Sequence, residues 1–401
     1  MGLPDCYREI MKDNLHTGLV LQGGGALGAY EYGAIKALYE ARPGFTPTVI
    51  TGLSIGSINA AILAGADDPI RTLDKIWRED FAVLAPLPFA KVWQALVPAI
   101  VQQNLATFGN QGMYRLRPQY LLAPLLAPLF TSSVYDTSPL RATLERVVDL
   151  DRLNTGPRVV VTAVDVATGE LVRFGNTASL QDSQAGQFAN TERLTLDHIL
   201  ASCSLPPGFP ETAINGRSYW DGGLRSNTPL SEAINGLEAF EPDNASIKRE
   251  LIVIELIPMA GPVPQTLQEV GERFLGLIFS SKLALDEALF RKINSYIDLF
   301  KGVNALLEVI EQDKDVRQAI DAALAKAGDM TVERIRTGSG YTALSHHRKI
   351  DAFTMIPFKA PPETAHGTDF SRDSIEQRIA AGYDEAIAQN IREPKWLNLI
   401  D

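Results

Sequence analysis

Within the first 65 residues, two short apolar runs each end at a glycine-bearing turn and open into a helix-forming stretch, and this repeated step constrains the fold more than any other feature. Residues 17–22 (TGLVLQ) read as a buried strand, and 29–40 as the helix that follows. Residues 48–52 (TVITG) repeat the strand, and 55–65 (IGSINAAILAG) have the composition of a buried helix stopped by glycine. Such alternation predicts an α/β fold, a mostly parallel central sheet flanked by helices, with active groups at the carboxyl ends of the strands.

The strand pattern returns at 158–166 (RVVVTAVDV), 170–174 and 251–257 (LIVIELI), each rich in β-branched residues. Between these blocks, residues 81–130 carry prolines at 86, 88, 98, 118, 124 and 128 among apolar residues, and read as an apolar helical insertion. Residues 265–326 read as helical, 352–358 (AFTMIPF) as a last edge strand, and 374–390 as a terminal helix. The expected organisation is an N-terminal extension (1–16), a main domain (17–260, insertion included), a helical region (261–345) and a C-terminal strand and helix (346–401).

The 401 residues suffice for one large α/β domain, and 45% hydrophobic with 21% charged residues is ordinary globular usage. A net charge of -11 repels phosphate backbones and no Lys/Arg run offsets it, so nucleic acid is not an expected partner. Cys6 and Cys203 lack the spacing of a zinc site or a disulfide framework, which fits a reducing compartment. Charges at Asp5, Arg8, Glu9, Lys12 and Asp13 leave no secretory h-region, and position 6 is not the Ser or Thr of a myristoylation signal. No run reaches the ~18 apolar residues of a spanning helix. The expectation is a cytoplasmic protein whose contact with a bilayer is peripheral.

Three stretches carry chemistry. Gly23, Gly24, Gly25, Ala26, Leu27 and Gly28 follow a strand and open a helix, where exposed N–H groups and the helix field favour an anion. The same letters satisfy G-x-G-x-x-G, so a dinucleotide fingerprint and a plain tight turn stay open, although the second strand ends in Thr51, Gly52 and Leu53 rather than in the acidic residue a ribose needs. Gly52-Leu53-Ser54-Ile55-Gly56 is a G-x-S-x-G between strand and helix, the context of a nucleophile elbow; the plain alternative is a serine capping a helix. Tyr219-Trp220-Asp221-Gly222-Gly223 ends a short apolar piece in a carboxylate able to take the serine proton, or else forms an Asp-Gly turn. None of His16, His198, His346, His347 and His366 sits in a local signature of a catalytic partner, though sequence alone does not remove them.

Together with Ser226-Asn227-Thr228-Pro229 and residues 201–210 (ASCSLPPGFP), these stretches resemble the patatin-like phospholipases, most strongly over 18–230. The resemblance implies a three-layer fold and a Ser-Asp dyad of Ser54 and Asp221 with no catalytic histidine. It also implies an oxyanion hole of backbone N–H groups at Gly24, Gly25 and Ala26, framed by the motif glycines 23, 28, 52, 56, 222 and 223. The implied substrates are acyl esters of phospholipids and related lipids, without metal or cofactor. Leu27 stands where many members carry Arg or Lys, which removes a positive charge near the oxyanion or lipid phosphate. An acyltransferase shares every residue of this reading, while a non-catalytic dinucleotide-binding module and an inactive scaffold are the alternatives from other classes.

Overall fold

The computed structural model describes residues 14–83, 110–176, 188–190, 193–240, 244, 246–261, 263–265, 267–280, 287–328, 331–333, 347–361 and 366–397. The first strand, β1 (Leu15–Leu21), leads through the glycine turn into α1 (Gly28–Ala41), and β2 (Val49–Gly52) leads through Ser54 into α2 (Ile55–Gly65). A two-stranded ribbon, β3 (Arg115–Leu116) with β4 (Tyr135–Asp136), stands apart from the main sheet. The main sheet continues with β5 (Arg158–Asp165), β6 (Leu171–Gly175), β7 (Phe188–Asn190), β8 (Thr212–Ile214), β9 (Arg217–Asp221), β10 (Lys248–Ile254) and β11 (Ala352–Ile356). Its order is β11-β10-β1-β2-β5-β6-β7, and the five strands from β11 to β5 are all parallel.

Side-chain alternation explains the layers. Leu19, Leu21, Ile252 and Ile254 belong to one buried cluster with α1 and α2, whereas Val20, Leu251 and Val253 belong to a second on the opposite face. That second face is covered by α4 (Leu230–Glu238), which contributes Leu230, Ala233 and Leu237; α3 (Leu196–Ser202) packs on the first face. A parallel strand buried on both faces needs the near-continuous apolar runs seen in β5 and β10.

The last helix, α5 (Arg372–Ala388), lies along α1. Their backbones touch at two glycines: a methyl on Gly33 would lie 2.0 Å from the Ile379 carbonyl oxygen, and one on Gly382 would lie 2.1 Å from that of Tyr30. No other residue type permits this approach.

Of the expected insertion, residues 84–109 lie outside the described residues, and Phe81 at its start is fully buried in the core. Beyond the strand β3, the helical content of the described remainder is a five-residue helix, Pro118–Leu122, and a 3-10 turn, Ala127–Leu129, because its prolines interrupt anything longer. Its leucines do not pack on the sheet: Leu122 is 85% and Leu125 92% exposed. The region expected to be helical from 265 to 326 contains Leu267–Phe279, Glu287–Gln312 and Lys314–Gly328.

Candidate active site

Ser54 joins β2 to α2 with φ 50° and ψ −123°, a left-handed backbone that a serine adopts only when its surroundings force it. The forcing contacts are glycines. A methyl on Gly52 would meet the Gly56 carbonyl oxygen at 2.5 Å, and one on Gly56 would meet the Leu21 and Gln22 oxygens at 2.6 and 2.7 Å. The turn therefore closes tightly against the end of β1. The capping alternative fails, since the Ser54 side chain makes no capping hydrogen bond to the helix. Its backbone is held from the other side by the end of α3, where the Ser54 N–H donates to Ser202 Oγ (3.0 Å) and the Ser54 carbonyl accepts from Cys203 Sγ (3.1 Å), while Ser57 Oγ on α2 also donates to that carbonyl (2.6 Å).

Sheet register brings the carboxylate to this turn. β2 occupies one edge of β5 as far as the pair Gly52↔Val161. Because β6 takes the other edge through Val160–Val164, the antiparallel β9 continues on the edge that β2 vacates, beginning at Ala163↔Asp221. The end of β2 and the end of β9 thus meet head to head, about 7 Å apart along β5. The Ser54 side chain lies beside the Asp221 carboxylate and acts to lower its pKa, and Asp221 Oδ1 accepts the Gly223 N–H at 2.8 Å. The Asp-Gly-Gly segment is therefore both a tight turn, continued as the 3-10 turn Gly222–Leu224, and the mount for the carboxylate. Burial pushes the Asp221 pKa up to about 6, against the opposing effects of the Ser54 hydroxyl and the Gly223 N–H. A carboxylate titrating there is an effective proton acceptor near neutrality.

The glycine turn lies beside Ser54 and Asp221. Asn227 Nδ2 donates to the Gly23 carbonyl at 3.1 Å, and Gln22 links Thr228 Oγ1 (2.7 Å) to the Leu256 N–H (2.9 Å). Gly25 sits at φ 57°, which turns the chain so that Gly24 and Gly25 remain partly exposed. Among the described residues, no group takes the N–H of either. Ala26 departs from expectation: its N–H donates to the Gly367 carbonyl at 2.7 Å and is not free to meet an oxyanion. Leu27 is packed in the core, where a basic side chain would bury its charge. Gly28 lies against Ile55 and Trp77, and Gly222 against Thr162, so both serve close packing around the site.

The histidines lie elsewhere. His198, at the start of α3, closes a capping box with Thr195, accepting that residue's N–H at 2.9 Å, and rests on the Phe174 ring. Burial lowers its pKa to about 4. His16 stacks on Phe240, and His347 is exposed and paired with Glu238. The His366 carbonyl accepts from Arg378, while His346 falls outside the described residues. The dinucleotide alternative finds no acidic side chain at the end of β2. Sequence reasoning missed Gln22, Ser202, Gly367 and Arg378. Of these, Arg378 left a trace: it shares a helix face with Ile375 and Gly382, where a cation is out of place.

A family model described as patatin-like phospholipase matches residues 19–234. A search of curated proteins returns no match. Among solved structures, VipD from Legionella pneumophila is similar over 93% of this chain and 66% of that chain, at 16% identity and a TM-score of 0.36. The heterodimeric ExoU-SpcU complex from the type III secretion system of Pseudomonas aeruginosa is similar over 92% of this chain and 74% of that chain, at 17% identity and a TM-score of 0.29. The chain spans just under two thirds of the length of VipD.

Proposed function

The chain belongs to the patatin-like phospholipase family, and from that premise we propose that it is a lipid acyl hydrolase working through Ser54 and Asp221. One observation carries the reading: a serine in a strained left-handed turn, with its side chain beside a buried carboxylate whose pKa burial has raised to about 6.

Asp221 takes the Ser54 proton as Oγ attacks the ester carbonyl, so the new C–O bond forms as the carbonyl electron pair moves to oxygen. The N–H groups of Gly24 and Gly25 receive that oxyanion; donors of this kind are typically worth about 100- to 1000-fold in turnover each. Collapse of the intermediate expels the alcohol, which leaves with the proton held on Asp221. Water then attacks the acyl-Ser54 ester, passing a proton to Asp221, which returns it to Ser54 Oγ as the intermediate collapses and the fatty acid leaves. Every proton has a stated carrier, and no histidine enters.

The substrate reaches the site from a lipid surface. Leu122, Leu125 and Phe130 face solvent, a display that supports apolar contact with a bilayer. The segment bearing them is tied to the site: the Val134 N–H donates to the Pro207 carbonyl and the Tyr135 N–H to that of Gly208, on the loop that follows Ser202 and Cys203. Among the described residues no helix is long and apolar enough to cross a membrane.

Fluorophosphonate labelling tests the reading. Wild type is expected to take one label, on Ser54, and both Ser54→Ala and Asp221→Asn to take none. Label retained by the alanine variant removes Ser54 from the mechanism.

A further inference from the structure

The family match ends at residue 234, yet the turn that faces the dyad is braced from residues 366–378. Gly367 and the Gly24–Ala26 turn are in backbone contact. A methyl on Gly25 would lie 2.4 Å from the Gly367 oxygen, and one on Gly367 would lie 2.8 Å from the Gly24 oxygen. The Gly367 carbonyl takes the Ala26 N–H at 2.7 Å.

What holds Gly367 in place is a fully buried guanidinium. Arg378, on α5, donates to the carbonyls of Asp369 (2.5 Å) and His366 (2.8 Å), on either side of the Gly367 segment, and makes a longer contact of 3.4 Å with the Ala26 carbonyl itself. The Asp369 carboxylate fixes the start of α5 by accepting from Ser374 Oγ (2.5 Å) and the Ser371 N–H (2.9 Å). A planar fork with several fixed donors suits this collecting of carbonyls, which a lysine matches only in charge.

We propose that Arg378 and Gly367 are positioning residues for the oxyanion site: they occupy the Ala26 peptide on its far side and so aim the N–H groups of Gly24 and Gly25 at the oxygen of the carbonyl that Ser54 attacks. Gly25 has the backbone freedom of glycine, and a turn of Gly-Gly-Gly without this brace samples orientations in which its donors miss the oxyanion. Oxyanion stabilisation depends on donors fixed before the reaction, so a brace acts on kcat and not on substrate binding.

This rests on the hydrolase reading, and the experiment separates the two. Full-length wild type, Arg378→Met, Arg378→Lys and Gly367→Ala are compared on a soluble p-nitrophenyl ester and by the rate of fluorophosphonate labelling, with each thermal melt recorded. Arg378→Met and Gly367→Ala are expected to lose about 10- to 100-fold in kcat and in labelling rate, with KM within twofold. Arg378→Lys is expected to recover part of the loss. If Arg378→Met does not fold, Gly367→Ala decides, since a half-exposed methyl against Gly24 disturbs the turn and spares the core. A folded variant of either kind with wild-type kcat overturns the brace and leaves the hydrolase reading intact. Wild type that never labels sinks the hydrolase reading itself.

Discussion

The serine turn and the proline-broken segment lie on neighbouring loops and are built in opposite ways. Around Ser54 every neighbour is close: glycine backbones in contact, a carboxylate fully buried, and the serine main chain bonded to three side chains. Between residues 121 and 130, six large apolar side chains stand in solvent, from Leu126 at 55% exposed to Leu125 at 92%. Reaction geometry tolerates little error, since a displacement of ~1 Å can cost about 100-fold. A lipid surface offers no fixed contacts to match, so the loop that meets it needs apolar area and little shape. On the proposed function, precision and adhesion fall to different stretches of chain.

The largest effect is expected at Asp221, and it tests the precise half of the contrast. Asp221→Asn should lower turnover by about 100- to 10,000-fold, and wild-type kcat/KM should fall as pH drops below about 6, where the base takes up a proton. Stability should move the other way. The folded pKa of about 6 lies above the ordinary 3.8, so the native state holds a proton that the unfolded chain releases. That contribution is full below about pH 4 and is lost as pH rises through about 6. The asparagine variant, neutral throughout, should therefore exceed wild type in urea unfolding at pH 8 by up to about 3 kcal/mol, with the gap closing near pH 4. An inactive variant no more stable than wild type would show that the carboxylate is not penalised by burial.

The adhesive half is tested by Leu122→Ser with Leu125→Ser. Activity on phospholipid vesicles should drop about tenfold, the equivalent of about 1.4 kcal/mol of lost surface affinity, while a soluble ester is cut as before. Equal losses on both substrates would erase the distinction between the two regions. The smallest change in activity is expected for His198→Ala. Its loss removes a cap and a ring contact, costing about 1–3 kcal/mol in stability, and should leave kcat within twofold. A collapse of turnover in folded His198→Ala protein would bring an imidazole back into the mechanism.

Local residues made much of this legible. The helix at Ile55–Gly65 has the expected bounds because a glycine-flanked serine starts it and a glycine ends it. The edge strand at Ala352–Ile356 was marked by its β-branched and aromatic residues. What stayed hidden depends on contacts far apart in sequence. The Ala26 N–H looks like its neighbours until Gly367, more than 300 residues later, takes it. The meeting of β2 and β9 on one edge of β5 is likewise a matter of register, which no single motif encodes. Leucines at 121–130 leave packing on the sheet and exposure equally open in a list of letters, and only the structure decides between them.

The glycine crossing of α1 and α5 bears on where this protein can be cut. A fragment ending with the family pattern at residue 234 would hold Ser54, Asp221 and both glycine turns, a full inventory by any motif search. It would also leave β1 without its seven-residue neighbour β10, and a bare furrow along α1 where Gly382 belongs. Anyone trimming the gene for expression or grafting the site onto another scaffold should carry the chain through residue 388, because the glycine turn and α1 are packed against by residues written at the opposite end of the sequence.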